Sequence, residues 1–280
     1  MPGSAMHLFC FSCFDVNVNI CCDDSQLIEI LRRNFEAMKP VVDSAHKLDY
    51  QIHSRSESQG YKIRRSGSGF ACRFDKSDEL VPLLEGDLVV QLQLRRPDLL
   101  FLHSAVVGFD DHAHLLVGKS GAGKSTTCWG LLHHGFRYVS DELAPIVVDQ
   151  GMVLPYLHAL SMKSPPPAEY PVTDVTCAAG RGFRIPPSAM PTGAITTDLP
   201  VATIFFVEHK PGHAASTVTP LAHAEAAIRL YPNMLNALAH QNDGLAAARR
   251  VTEHIASFRV DAGFLVSTCE AICRAIKQSA

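Results

Sequence analysis

His114–Ile146, HLLVGKSGAGKSTTCWGLLHHGFRYVSDELAPI, is the stretch whose reading decides the fold. Within it, Gly118-Lys-Ser-Gly-Ala-Gly123-Lys124-Ser125 satisfies the pattern G-x-x-x-x-G-K-[ST] in full. The flanks fit as well: the apolar run HLLV reads as a strand entering the loop, and Thr126–His133 reads as a helix leaving it. Glycines let such a loop turn tightly and bring several N–H groups onto phosphate oxygens, while the helix N-terminus adds a partial positive charge. The pattern predicts a nucleotide-phosphate site made by Gly118, Ser120, Gly121, Ala122, Gly123, Lys124, Ser125 and Thr126. Lys124 would reach the β- and γ-phosphates of ATP, and Ser125 would offer its hydroxyl to Mg²⁺.

The second half of the stretch ends in an acidic pair, Asp141-Glu142, at the end of the next short strand. Only the loop helix separates that strand from the loop. Transporters and motor ATPases carry a similar acidic strand end, but after inserted strands and helices. Neither an LSGGQ-like signature nor a guanine-reading N-K-x-D motif occurs in the chain. Phosphoryl transfer needs positioning and charge neutralisation more than covalent help. A carboxylate beside the γ-phosphate can take the proton of an alcohol, or it can hold Mg²⁺ through water. Both roles stay open for Asp141.

Working outward, apolar segments alternate with helical ones on both sides of the loop. Leu99–Val107, His114–Val117, Arg137–Val139, Val201–Val207 and Ser257–Val260 read as strands. Leu221–Ile255 and Val266–Ile276 read as mostly helical. That alternation predicts an α/β layer structure over residues 96–280. Two proline-rich stretches, Lys163–Pro171 and Arg184–Pro191, break it and read as loops. Lys163, Arg181 and Arg184 lie in or beside them and are candidate clamps for a transferring phosphate, with surface charge as the alternative.

Residues 1–95 differ in style and predict a small mixed α+β domain. Asp24–Met38 has a capping residue, Asp24 or Ser25, and an apolar stripe of Leu27, Ile28, Ile30, Leu31 and Phe35, the pattern of a helix. Leu48–His53, Gly60–Arg65 and Gly69–Phe74 read as strands, and Ser77–Arg95 as a helical segment broken near Gly86. The nine cysteines do not form a disulfide framework. Cys10-x-x-Cys13 and Cys21-Cys22 lie in a run that alternates like a strand, where residues three apart face opposite ways, so buried thiols are expected rather than a metal site.

With 280 residues, 47% apolar and 19% charged, the chain can bury a sizeable core, which excludes a disordered polymer. A net charge of −3 argues against a nucleic-acid footprint. No apolar run approaches the roughly 20 residues that cross a bilayer, and the start MPGSAMHLFCFSCF lacks the basic segment of a secretory signal. A cytoplasmic protein with no membrane partner is expected.

LHSAVV, HLLVGKSGAGKST and GFRYVSDELAPI together resemble the catalytic core of the HPr serine kinase/phosphorylase group. The look is nearest to the small HPr-kinase-like proteins, including kinases that phosphorylate lasso-peptide precursors. The resemblance is specific over residues 99–146 and looser over 147–210, where LPVATIFFVE fits. It implies a P-loop core of the type shared with phosphoenolpyruvate carboxykinase and transfer of phosphate from ATP, with Mg²⁺, to a serine of a peptide or protein. It implies that Asp141 takes the acceptor proton, that Glu142 belongs to the metal shell, and that His103 lies near the phosphates. A core histidine is the alternative for His103. A homo-oligomer is left open, since HPr kinase forms one. The Arg-Gly signature tied to phosphorolysis is matched only by GRGFRIPP at Gly180–Pro187, so phosphorolysis is not carried over. A small-molecule kinase and a non-catalytic ATP-binding regulator remain the other readings.

Overall fold

The computed structural model describes residues 5–55, 60–172 and 182–279. The chain opens with a hairpin, β1 (His7–Cys13) and β2 (Val16–Cys22), followed by α1 (Ser25–Asn34). Then come β3 (His46–Ser54), β4 (Tyr61–Arg65), β5 (Ala71–Phe74) and α2 (Leu80–Arg95). The larger part begins with β6 (Leu100–Leu102), β7 (Ser104–Phe109), β8 (His112–Val117) and α3 (Lys124–Leu132). It continues through β9 (Arg137–Ser140), β10 (Ala144–Val147), β11 (Met152–Val153), β12 (Leu160–Met162) and β13 (Phe183–Ile185). It closes with β14 (Leu199–His209), β15 (Thr217–Pro220), α4 (His223–Leu230), α5 (Leu245–Thr252), β16 (Ala256–Ala262) and α6 (Leu265–Ser279). The predicted α/β class is the observed one.

The first sheet runs β1-β2-β3-β4-β5, with β2 and β3 parallel and the other neighbours antiparallel. Its alternation is strict: Val16, Val18, Ile20 and Cys22 are buried, and the residues between them are not. Cys10 and Cys13 fall on opposite faces, Cys13 buried and Cys10 half-exposed. The hairpin turns at Phe14 and Asp15, both at positive φ (50° and 61°), a geometry that suits the twist of two paired strands. Neither residue carries the Asn-Gly signature, so the sequence shows one strand-like run where two strands pair.

Asp24 caps α1, its Oδ1 accepting from the N–H groups of Gln26 at 2.8 Å and Leu27 at 3.2 Å. The helix ends at Asn34 rather than Met38. Phe35 has left helical geometry (φ −119°), and its buried ring stacks on Phe11 with centroids 4.4 Å apart. α2 runs unbroken through Gly86, against the expected break. A mid-helix glycine costs about 1 kcal/mol, and fully buried Leu84, Leu88 and Leu92 outweigh it by packing along one stripe.

In the second sheet, β8 lies between antiparallel β7 and parallel β14, with β9 beyond β7 and β16 parallel to β14 on its other side. Side chains of β8 alternate between two cores: Leu116 faces the layer of α3 and α6, while Leu115 and Val117 face the layer of α4 and α5. The first of these cores is continuous with the core of the first sheet. The expected strand Leu99–Val107 is two strands. At His103 the chain leaves β10's partner β6 and enters β7, with the His103 N–H donating to the Asn233 carbonyl at 2.8 Å. His114, at the start of the expected strand His114–Val117, is buried on β8 with Nδ1 2.7 Å from the Thr203 hydroxyl. The Leu221–Ile255 segment is two short helices joined by 3₁₀ turns. Among the described residues no helix is long and apolar enough to cross a membrane.

Candidate active site

The glycine-rich loop joins β8 to α3, as its sequence requires. Gly121 (φ 84°) and Gly123 (φ 94°) take the left-handed backbone that lets the loop fold back on itself. Gly118 answers a different need: a Cβ there would stand 2.6 Å from the Val207 carbonyl oxygen of β14. α3 begins with no side-chain cap, so its first N–H groups are left to a ligand in the loop.

Lys124 folds back over this loop. Its ammonium donates to the Gly118 carbonyl at 2.6 Å, the Lys119 carbonyl at 3.3 Å and His103 Nε2 at 3.0 Å. An ammonium cannot accept, so His103 Nε2 is unprotonated and Nδ1–H donates to the Glu142 carbonyl at 3.2 Å. Burial, then the Lys124 charge, lowers the His103 pKa, consistent with this neutral ring. His103 stands at the interruption between β6 and β7.

Ser125 Oγ donates to Asp141 Oδ1 at 3.0 Å, and the Ser161 N–H donates to Asp141 Oδ2 at 3.2 Å. Asp141 has no exposed surface. Burial, then neighbouring Glu142, pushes its pKa up to about 6. Glu142 is exposed and lines a small cleft of about 190 Å³ together with His103, Lys124, Ser125, Ser161 and Lys163. The backbone presents Glu142 by a three-residue turn. The Leu143 N–H donates to the Asp141 carbonyl at 2.9 Å, and Glu142 between them sits at φ 68°. Turns closed this way around a positive φ are rare and strained. Ser140 Oγ donating to the Leu143 carbonyl ties the turn from inside.

Behind this turn lies a buried ionic cluster. His158 is 1% exposed. Its Nε2 stands 2.6 Å from the Asp141 carbonyl and its Nδ1 3.0 Å from Glu85 Oε1. Both neighbours only accept, so both ring nitrogens donate and the ring is an imidazolium. Burial works against that charge, but Glu85 and then Asp141 outweigh it and raise the His158 pKa. Glu85 also receives Arg184 Nη2 at 3.1 Å and Asn34 Nδ2 at 3.1 Å. Burial alone would push Glu85 up; Arg184, His158 and Asn34 together hold it at about 2.

The loop residues Gly118–Thr126, His103, Asp141 and Glu142 are thus brought together. Lys163 joins them, its Nζ 3.2 Å from Ser120 Oγ. Arg184 is instead engaged with Glu85 and Asn34 in the cluster behind the turn, and it does not line either cleft beside the loop. Arg181 lies outside the described residues. Sequence reading passed over Ser161, Glu85 and His158. The signal was present: single polar or ionisable residues inside the apolar runs LVPLLEGDLVV and LPYLHALSM, which must find partners if buried. A larger cleft, about 750 Å³, opens on the other side of the loop between Gly118–Ala122, the end of β14 at Phe206–His209, Arg229 and Arg259.

No family model matches the sequence, and no curated protein does. Among solved structures, the HPr(Ser) kinase/phosphatase from Coxiella burnetii aligns over 64% of this chain and 91% of its own, at 10% identity and a TM-score of 0.34. The likeness is weak and concerns the fold.

Proposed function

We propose that the chain is an ATP-dependent phosphotransferase that moves the γ-phosphate onto a hydroxyl, the acceptor being a serine of a peptide or protein. One observation carries this reading: a complete phosphate loop meets an acidic pair, with Ser125 Oγ 3.0 Å from Asp141 Oδ1 and the Lys124 ammonium held beside them. The residues present fit a Mg²⁺–nucleotide. The uncapped α3 N-terminus and the two left-handed glycines suit phosphate oxygens. A buried carboxylate with a raised pKa beside a serine hydroxyl suits a divalent cation. Ser125 would hold Mg²⁺, with Asp141 behind it orienting the Ser125 hydroxyl, and the cation would supply charge neutralisation at the phosphates.

Lys124 carries the charge opposite the transferring group, and His103 keeps the ammonium aimed into the loop. Asp141 has both oxygens in use and no exposed surface. Glu142 makes no hydrogen bond through its carboxylate among the described residues and faces the cleft. We therefore give the acceptor's proton to Glu142 and place Asp141 behind the metal, acting through Ser125, the reverse of the division that the family resemblance implies. Lys163 at the cleft rim, with Nζ 3.2 Å from Ser120 Oγ, would face the phosphates, and the 750 Å³ cleft has the size of a nucleoside site. The resemblance of residues 99–146 to HPr-kinase-like proteins supports a serine acceptor, and the lasso-peptide-precursor kinases suggest a peptide one.

Incubation with Mg²⁺–ATP and a library of serine peptides, read by mass spectrometry, should show a gain of one phosphate. Release of ADP that no acceptor accelerates would reject the transferase reading. A variant Glu142→Gln with full transfer activity would reject the proton assignment.

A further inference from the structure

We propose that His158 is a positioning residue of the site, and that through it the N-terminal helices hold the Asp141–Glu142 turn in its strained form. The proposal rests on the phosphotransferase reading for its consequence, but its geometry stands alone. Glu142 at φ 68° is the residue that the turn must keep in an unfavourable backbone. Such positions cost of order 1–3 kcal/mol and persist only where the surroundings fix them. The carbonyl that closes the turn belongs to Asp141, and it accepts two donors: the Leu143 N–H at 2.9 Å and His158 Nε2–H at 2.6 Å. The first bond makes the turn. The second fixes where the turn stands, because the ring's other nitrogen is anchored 3.0 Å from Glu85 on α2.

The anchor is rigid. Glu85 takes two further bonds, from Asn34 of α1 and Arg184 of β13, and Arg184 closes the ring by donating to Asn34 Oδ1 at 3.0 Å. The segment carrying His158 is pinned by the Ala159 N–H donating to the Asn34 carbonyl at 2.7 Å. Two residues further on, Ser161 donates to the Asp141 carboxylate. The same short segment therefore sets both the carbonyl and the carboxylate of Asp141. None of Glu85, His158 or Asn34 lines the clefts beside the loop, so they act through the turn and not on substrate.

The test uses the full chain with His158→Gln, which fills the space but cannot donate at both ends, and Glu85→Gln as the second variant. Two readouts are taken. In Mg²⁺–ATP turnover with a serine-peptide library, kcat should fall roughly tenfold to a hundredfold, as for supporting partners of a catalytic shell, while KM for ATP stays within about twofold of the parent. Hydrogen exchange should accelerate more at the amides of 140–144 than at those of β8, which report any global loss of stability. The double variant should be no slower than the worse single one, since both changes cut the same tether. Unchanged exchange at the turn overturns the proposal. So does acceleration at 140–144 no greater than that in β8, or a loss carried by KM. If the parent chain transfers no phosphate to any acceptor, the phosphotransferase reading fails, and the exchange measurement still decides the role of His158.

Discussion

Replacing Glu85 by Gln should weaken the fold by an amount that changes with pH in a defined way. The Glu85 side chain is 12% exposed and is held at a pKa of about 2 against an ordinary 4.5. Each pH unit between those values is worth about 1.4 kcal/mol, so the ionised group contributes about 3 kcal/mol at pH 7. A carboxylate whose folded pKa is depressed stabilises above its unfolded pKa and loses that contribution as pH falls through the folded one. The gap between parent and variant should therefore hold at about 3 kcal/mol from pH 7 to pH 5 and shrink to less than half by pH 3. The glutamine leaves the His158 imidazolium and Arg184 without their counter-charge, the costly way to break a buried pair. Urea unfolding of both proteins at pH 7, 5 and 3 reads the gap directly. A gap of the same size at pH 3 and pH 7 would refute the reasoning, because a packing defect does not titrate.

Other outcomes follow from the same geometry. Ser125→Ala removes the hydroxyl shared with Asp141; Mg²⁺-dependent turnover should drop roughly tenfold to a hundredfold, while metal-free nucleotide binding, followed by fluorescence of a labelled ATP, should persist. Glu142→Gln should lower kcat by a factor on the order of 10² to 10⁴, the range of general-base catalysis, with KM for ATP unchanged in steady-state assays. Gly118→Ala would place a methyl 2.6 Å from the Val207 carbonyl; a loss of about 1–3 kcal/mol in thermal unfolding and of nucleotide binding in the same titration is expected.

The phosphate loop was fully legible in the sequence because each of its requirements is local: glycines for backbone shape, a lysine and a serine at fixed offsets, a strand before and a helix after. The Asp24 cap was legible for the same reason. What escaped was set by distant partners. His103 ends a strand because the chain changes neighbours there, from β10 to β8. α2 crosses Gly86 because packing overrides local propensity. Arg184 reads as a loop cation in its own neighbourhood, yet its partner Glu85 lies 99 positions earlier. That Asp141 is buried and Glu142 exposed could not be read from the letters DE, since a backbone turn sets it.

The tether behind that turn also has an order in time. Its members are separated by 73 positions between Glu85 and His158 and by 150 between Asn34 and Arg184. During synthesis the five-stranded sheet can assemble as soon as it emerges, since its strands all lie within residues 7–74. The acidic turn gains its rear anchor only when the ribosome has delivered residue 184. A nascent chain that has emerged through Glu142 thus still lacks the last member of that cluster, and the loop itself waits longer, since Gly118 packs against Val207 of β14.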